Sequence, residues 1–214
     1  MKKVFLTAAI AVLSFATTQA QEIKFGVKAG VNVSKFGGSL PGVIDFGSID
    51  YEYRTSFHVG GLAEIMLSDK FALQPELLYS SQGSKISEVD GNFNSESILK
   101  LDYVNVPIMA KFMPFEGFSI EAGPQVGFLI SAKEDYTDSD GDANEDGIDI
   151  KDDVKSIDFA LNLGVGYKLD NGILFSARYN FGLIDVDDAD DVDNVDDIFE
   201  PKNRTLQVSV GYMF

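Results

Sequence analysis

The sharpest chemistry in the sequence lies between residues 138 and 153. There Asp138-Ser-Asp140-Gly-Asp142-Ala-Asn144-Glu-Asp146-Gly147-Ile-Asp149 places acidic or amide side chains at alternate positions around glycines. Counted from Asp142, the residues Asp142, Asn144, Asp146, Gly147 and Asp153 fall on positions 1, 3, 5, 6 and 12 of a calcium-binding loop. Calcium takes about six to eight hard oxygens, and the glycine permits the sharp turn that gathers them. The spacing predicts a calcium site with Asp142, Asn144, Asp146 and Asp153 as ligands. Position 8 departs from that pattern, being Asp149 rather than an apolar residue; position 12 is Asp rather than Glu, and no helices flank the segment. The other reading is a solvated acidic loop, the usual state of a charge run. A second run, Asp185 to Glu200, contains Asp187, Asp188, Asp190, Asp191, Asp193, Asp196 and Asp197 but no glycine turn. It reads as a diffuse cation-attracting surface.

Other chemistries find less support. His58 is the only histidine. It could act as a base beside Ser56 or Glu64, but no orienting acid stands at a matching position, so a hydrogen-bonded histidine is the expectation. The pairs Gly26/Gly30 and Gly164/Gly166 alternate along an extended segment instead of opening a helix, which excludes a phosphate loop. They are expected to make room for larger neighbours. With no cysteine, neither disulfides nor thiolate metal sites contribute.

The elements that must hold these residues are strands. Apolar residues recur with period two, the mark of a half-buried strand. In 23–34, Phe25, Val27, Ala29, Val31 and Val33 share one face. The pattern repeats in 55–67, 71–82, 118–130, 157–169, 173–183 and 205–214. A further segment, Leu99 to Phe112, changes parity: Leu99, Leu101 and Tyr103 precede Val104, Val106, Ile108, Ala110 and Phe112. A β-bulge near 102–104 would reconcile the two halves. Eight strands result. Three connections are tight: Ser68-Asp69-Lys70, Pro114-Phe115-Glu116 and Asp170-Asn171-Gly172, the last a hairpin signal. Four are long, at 35–54, 83–97, 133–156 and about 185–203. The strict alternation of short and long connections predicts an all-β fold: an eight-stranded antiparallel up-and-down transmembrane β-barrel with four long external loops and three short periplasmic turns.

Lys2 and Lys3, the apolar run from Val4 to Ala16 and the small residues of Thr18-Gln19-Ala20 match a secretory leader. Residues 1–20 are therefore expected to be a cleaved signal peptide and 21–214 one barrel domain. The formal charge of −17, concentrated in 134–153 and 185–200, disfavours nucleic acid, which requires basic clusters. Alternation alone does not say which face is apolar, since a soluble lipocalin-like barrel alternates with its apolar face inward. Three features favour an outward apolar face. Phe25, Phe71, Phe112, Phe118, Tyr167, Phe175, Tyr212 and Phe214 would ring the short-turn end, and Phe57, Tyr79, Phe128, Phe159 and Phe181 the other. The polar face mixes both charge signs, with Lys28, Glu76, Lys111, Glu121 and Arg178 set to pair across a narrow lumen. Finally, the aromatic end at Tyr212 and Phe214 resembles the signal read by the outer-membrane assembly machinery.

Phe25-Gly-Val-Lys-Ala-Gly-Val-Asn-Val-Ser34, Leu101-Asp-Tyr-Val-Asn-Val-Pro-Ile-Met-Ala-Lys111 and Glu121-Ala-Gly-Pro-Gln-Val-Gly-Phe-Leu-Ile130 resemble the porin-like, or PorT-like, outer-membrane β-barrel family of Bacteroidetes. That resemblance implies an outer-membrane location and an eight-stranded fold. It carries no shared catalytic residues; its best-studied namesake works in protein secretion. The acidic segment at 138–149 resembles the calcium loops of thrombospondin type 3 and dockerin-like repeats. The expectation is a monomeric, non-enzymatic outer-membrane barrel with a structural or surface-interaction role. It would contact outer-membrane lipid and, through divalent ions, lipopolysaccharide phosphates, with no cofactor beyond that calcium. A narrow channel or a transport or secretion-associated barrel is the alternative.

Overall fold

The computed structural model describes residues 22–37, 51–90, 93–138, 144–187 and 201–214. Nine strands form one sheet: β1 (Ile23–Gly37), β2 (Tyr51–Ser68), β3 (Phe71–Asp90), β4 (Phe93–Phe115), β5 (Phe118–Asp138), β6 (Asn144–Asp149), β7 (Ile157–Lys168), β8 (Ile173–Gly182) and β9 (Lys202–Met213). Each pairs antiparallel with its neighbours. β1 pairs with both β2 and β9, and β4 pairs with β5, so eight strands close in the order β1-β2-β3-β4-β5-β7-β8-β9. β6 stands outside that ring, paired only to the far end of β5 among the described residues. Closure gives every barrel strand a partner on both sides, the condition that lets a sheet sit in lipid.

The pleat sorts the side chains as period two requires. Leu77, Leu163, Val208 and Val210 face outward and are roughly half exposed, whereas Lys28, Glu64, Glu76, Glu121 and Arg178 are buried inside. The apolar face is thus the outer face. Its aromatic ends pair as well: Phe71 with Phe112 and Tyr212 with Phe214 at the short-turn end, Phe57 with Tyr79 at the other, all with ring centroids 5.1–5.8 Å apart.

The turns lie close to where spacing put them. One shifts: β4 runs through Phe115, and the bend falls on Glu116 and Gly117, whose φ of +77° only glycine adopts readily. Gly172 closes the last hairpin at φ +89°, with its N–H donating to the Leu169 carbonyl.

Two expectations about the loops are corrected. Segment 83–97 is mostly a continuation of the β3–β4 hairpin, paired residue for residue out to Asp90 and Phe93. Segment 133–156 holds the end of β5 and all of β6. Beyond the barrel ring these strands have no lipid to face, so nothing in them imposes apolar alternation. Backbone pairing holds them instead. The bulge also sits elsewhere. β4 keeps one parity throughout, with Leu101, Tyr103, Asn105, Pro107, Met109 and Lys111 all turned inward. The register slips on β5, where Asp102 faces Ser131 and Tyr103 faces Leu129. Ile130 is the extra residue, and past it the inward position passes to Ala132.

Candidate functional site

The inward side chains fill the bore in tiers. Nearest the short turns, one chain of alternating charge crosses it: Lys168–Glu64 at 2.6 Å, Glu64–Lys111 at 2.7 Å, Lys111–Glu121 at 3.5 Å, Glu121–Arg178 at 2.7 Å, Arg178–Glu76 at 2.7 Å and Glu76–Lys28 at 2.7 Å. Each charge comes from a different strand, β7, β2, β4, β5, β8, β3 and β1 in turn, so the network braces the barrel across its diameter. Every carboxylate lies between two cations. That arrangement offsets the cost of burying it, which a single partner would not. Gln74 and Ser119 add donated bonds to Glu76 and Glu121 at 2.6 and 3.0 Å.

Glycines provide the space. A Cβ on Gly164 would lie 2.6 Å from Arg178 Cγ, and one on Gly166 2.7 Å from Glu121 Oε1. Gly30 does the same for His58. It sits opposite both His58 on β2 and Ser209 on β9, and the imidazole passes over it to reach Ser209 Oγ at 2.7 Å. The other ring nitrogen, Nδ1, is 2.7 Å from Asn32 Oδ1. Asn32 directs its NH₂ to Ser80 Oγ and the Ser81 carbonyl, so Oδ1 is an acceptor and Nδ1 carries the proton. Ser56 donates elsewhere, to the Ser81 carbonyl. His58 therefore pairs with an amide and a hydroxyl, and among the described residues neither Ser56 nor a carboxylate hydrogen-bonds to it. Asn162, Gln125 and Asn180 continue this amide tier.

Above it, Asn203 donates to Tyr103 Oη and Asp158 Oδ2, both at 3.4 Å. The bore then ends in an apolar lid of Phe36, Leu101, Tyr103, Leu129, Ala132, Val154 and Val186. Outside the lid lies a cavity of about 280 Å³, walled by Phe36, Tyr51, Leu99, Leu101, Val154 and Val186 and edged by Glu134, Asp153 and Asp187. Burial, and then the charges of Asp187 and Asp185, push the Tyr51 phenol above its ordinary range.

The predicted calcium ligands are spread over separate elements. Asp142 lies outside the described residues. Asn144 opens β6 opposite Thr137, and Asp146 is exposed on the same strand. Asp153 ends a short 3-10 turn, Lys151–Asp153, and borders the lid cavity. Gly147 has φ +73°, and its N–H donates to Asp135 Oδ1 at 3.0 Å. Among the described residues no three acidic groups gather as a metal site would. Of the second acidic run, Asp188 to Asp197 lie outside the described residues.

The lid and its cavity escaped the sequence reading. Their only signal was the parity change at Leu99, Leu101 and Tyr103, which marks inward apolar residues and not a bulge in their own strand.

A closed eight-stranded ring with a lipid-type outer face and a charged, filled interior has few homes. The chain matches the family model described as outer membrane protein beta-barrel domain over residues 19–188. It belongs to that family. The barrel therefore sits in the outer membrane, with its three tight turns at the periplasm and the lid, β6 and the hairpin extensions outside. Among solved structures it is similar to Neisserial surface protein A, with 14% identity, 89% of this chain and 97% of that one covered and a TM-score of 0.49. Ail, the attachment invasion locus protein of Yersinia pestis, gives 12%, 90%, 99% and 0.47. OprG from Pseudomonas aeruginosa gives 12%, 91%, 97% and 0.41. No curated protein sequence matches it.

Proposed function

We propose that this protein is a non-enzymatic outer-membrane barrel with a sealed bore, whose interactions are made by what it raises outside the membrane. The observation that carries this reading is the seven-charge chain from Lys168 to Lys28, which spans the lumen from seven strands beneath an apolar lid. A diffusion path would have to break buried ion pairs and displace Leu101 and Tyr103. Catalysis would need a substrate to reach a base and a nucleophile together; His58 does meet the Ser209 hydroxyl, but both are buried in the filled bore beneath the lid.

On this reading the acidic external segments attract divalent cations that bridge to lipopolysaccharide phosphates, which anions alone would repel. Residues 142–153 would take calcium only if the external segment closes around the ion. The leader 1–20 is removed on export, the aromatic C-terminal strand is read by the assembly machinery, and the barrel works as a monomer of the Bacteroidetes porin-like kind. Purified protein in planar lipid bilayers tests the sealed bore. The expected record is silent at moderate voltage. Stable, reproducible conductance steps would favour the channel or transport alternative and end this proposal.

A further inference from the structure

We infer that the cavity over the lid is a recognition site for a small amphipathic cation, an apolar body carrying one ammonium or guanidinium group. This rests on the sealed-bore reading, since the lid that closes the lumen is also the floor of the site. Phe36, Leu101, Val154 and Val186 of the apolar cluster form the floor and walls, with Tyr51 and Leu99 packed beside them. At about 280 Å³ the cavity lies near the lower end of ligand pockets, which run from ~300 to 1,000 Å³ and combine apolar walls with a few convergent polar groups. All three charged residues that line it are acids: Glu134, Asp153 and Asp187. Their positions are built. Ser97 donates to Glu134, Asp153 ends the 3-10 turn, and Asp187 forms a β-bridge with Val154. The nearby Lys155 is drawn aside to Asp185 at 3.8 Å and is not part of the lining.

An anionic ligand would meet the Glu134 and Asp153 carboxylates and gain nothing for leaving water. A neutral apolar one would use the walls but not the edge. Only a cation with an apolar body uses both, and the surrounding negative charge raises its local concentration. The strand geometry keeps the site outside the membrane: Glu134 pairs with Leu99 in the extended part of β4 and β5, beyond the bulge at Ile130.

The test uses the full mature chain refolded in lipid nanodiscs, with methyl-labelled Val and Leu read by NMR. Three probes of similar size are titrated: 2-phenylethylammonium, 2-phenylethanol and phenylacetate. The expected result is saturable shifts confined to Leu99, Leu101, Val154 and Val186, tightest for the ammonium and weakest for the carboxylate. Asp153→Asn and Glu134→Gln should each weaken the ammonium by about threefold while leaving the alcohol unchanged, as expected for partly exposed ion pairs. Equal shifts from all three probes would overturn the charge selection, and no saturable shift at these methyls would overturn the site. The methyl spectrum without probe shows whether each variant is folded. Silence in the bilayer recordings together with no probe binding would remove this inference alone; conductance would remove the sealed-bore reading beneath it.

Discussion

Arg178 stands where the lumen's charges meet. Its guanidinium reaches Glu121 Oε2 from both Nε and Nη2, at 2.9 and 2.7 Å, and Glu76 Oε2 from Nη1 at 2.9 Å. Removing it would leave two buried carboxylates short of a partner. Arg178→Ala is therefore expected to destabilise the barrel by about 3–5 kcal/mol, read as a lowered urea midpoint in lipid vesicles. An unchanged midpoint would mean that the lumen is wetter than its packing indicates. At this scale much was legible in advance. Lys28, Glu76, Lys111, Glu121 and Arg178 share a strand face with both signs present, and charge of both signs on one face asks to be paired. What spacing could not supply was who pairs with whom. His58 finds Asn32 and Ser209 because Gly30 leaves a gap between them, a fact of barrel curvature and register, not of local sequence.

At the scale of elements, the barrel strands were readable because lipid on one side and a polar bore on the other write period two into them. The same physics explains the misreadings. Past the membrane both faces of β3, β4 and β5 meet water or protein, so the alternation fades while the backbone pairing continues. Extended hairpins then look like loops in sequence. Leu101 and Tyr103 misled for a related reason: they are inward and apolar, because the bore there is capped and not filled with charge. If the ring and its outward extension are energetically separate, the hairpin tip is dispensable. Replacing Ile86 to Ser97 by an Asn-Gly turn joins Lys85 directly to its partner Ile98. The shortened protein should still insert and keep its urea midpoint to within about 1 kcal/mol, since the described residues of the removed segment are only half-buried and lie beyond the membrane ring. Loss of the heat-modifiable folded band on gels would show that the extension helps close the barrel.

For the whole molecule, the decisive property is which face meets lipid, and period two alone left that open between a soluble barrel and a membrane one. The aromatic ends, the mixed charge on the polar face and the terminal Phe214 pointed outward, and the exposure of Leu77, Leu163 and Val208 agrees. The function of the external surface was the least legible part. The site inferred over the lid draws on residues from β1, β2, β4, β5 and the 3-10 turn, and no local spacing announces that meeting. The chain has no tryptophan, so a single one can be introduced as a reporter. Leu163→Trp and Val208→Trp lie on the outward face of the ring, and Thr137→Trp lies on the external extension of β5. With the protein refolded into bilayers whose acyl chains carry bromine at mid-depth, fluorescence at 163 and 208 should be strongly quenched and that at 137 left nearly intact. Equal emission from all three, in protein that is folded, would contradict a barrel whose apolar face is wetted by lipid.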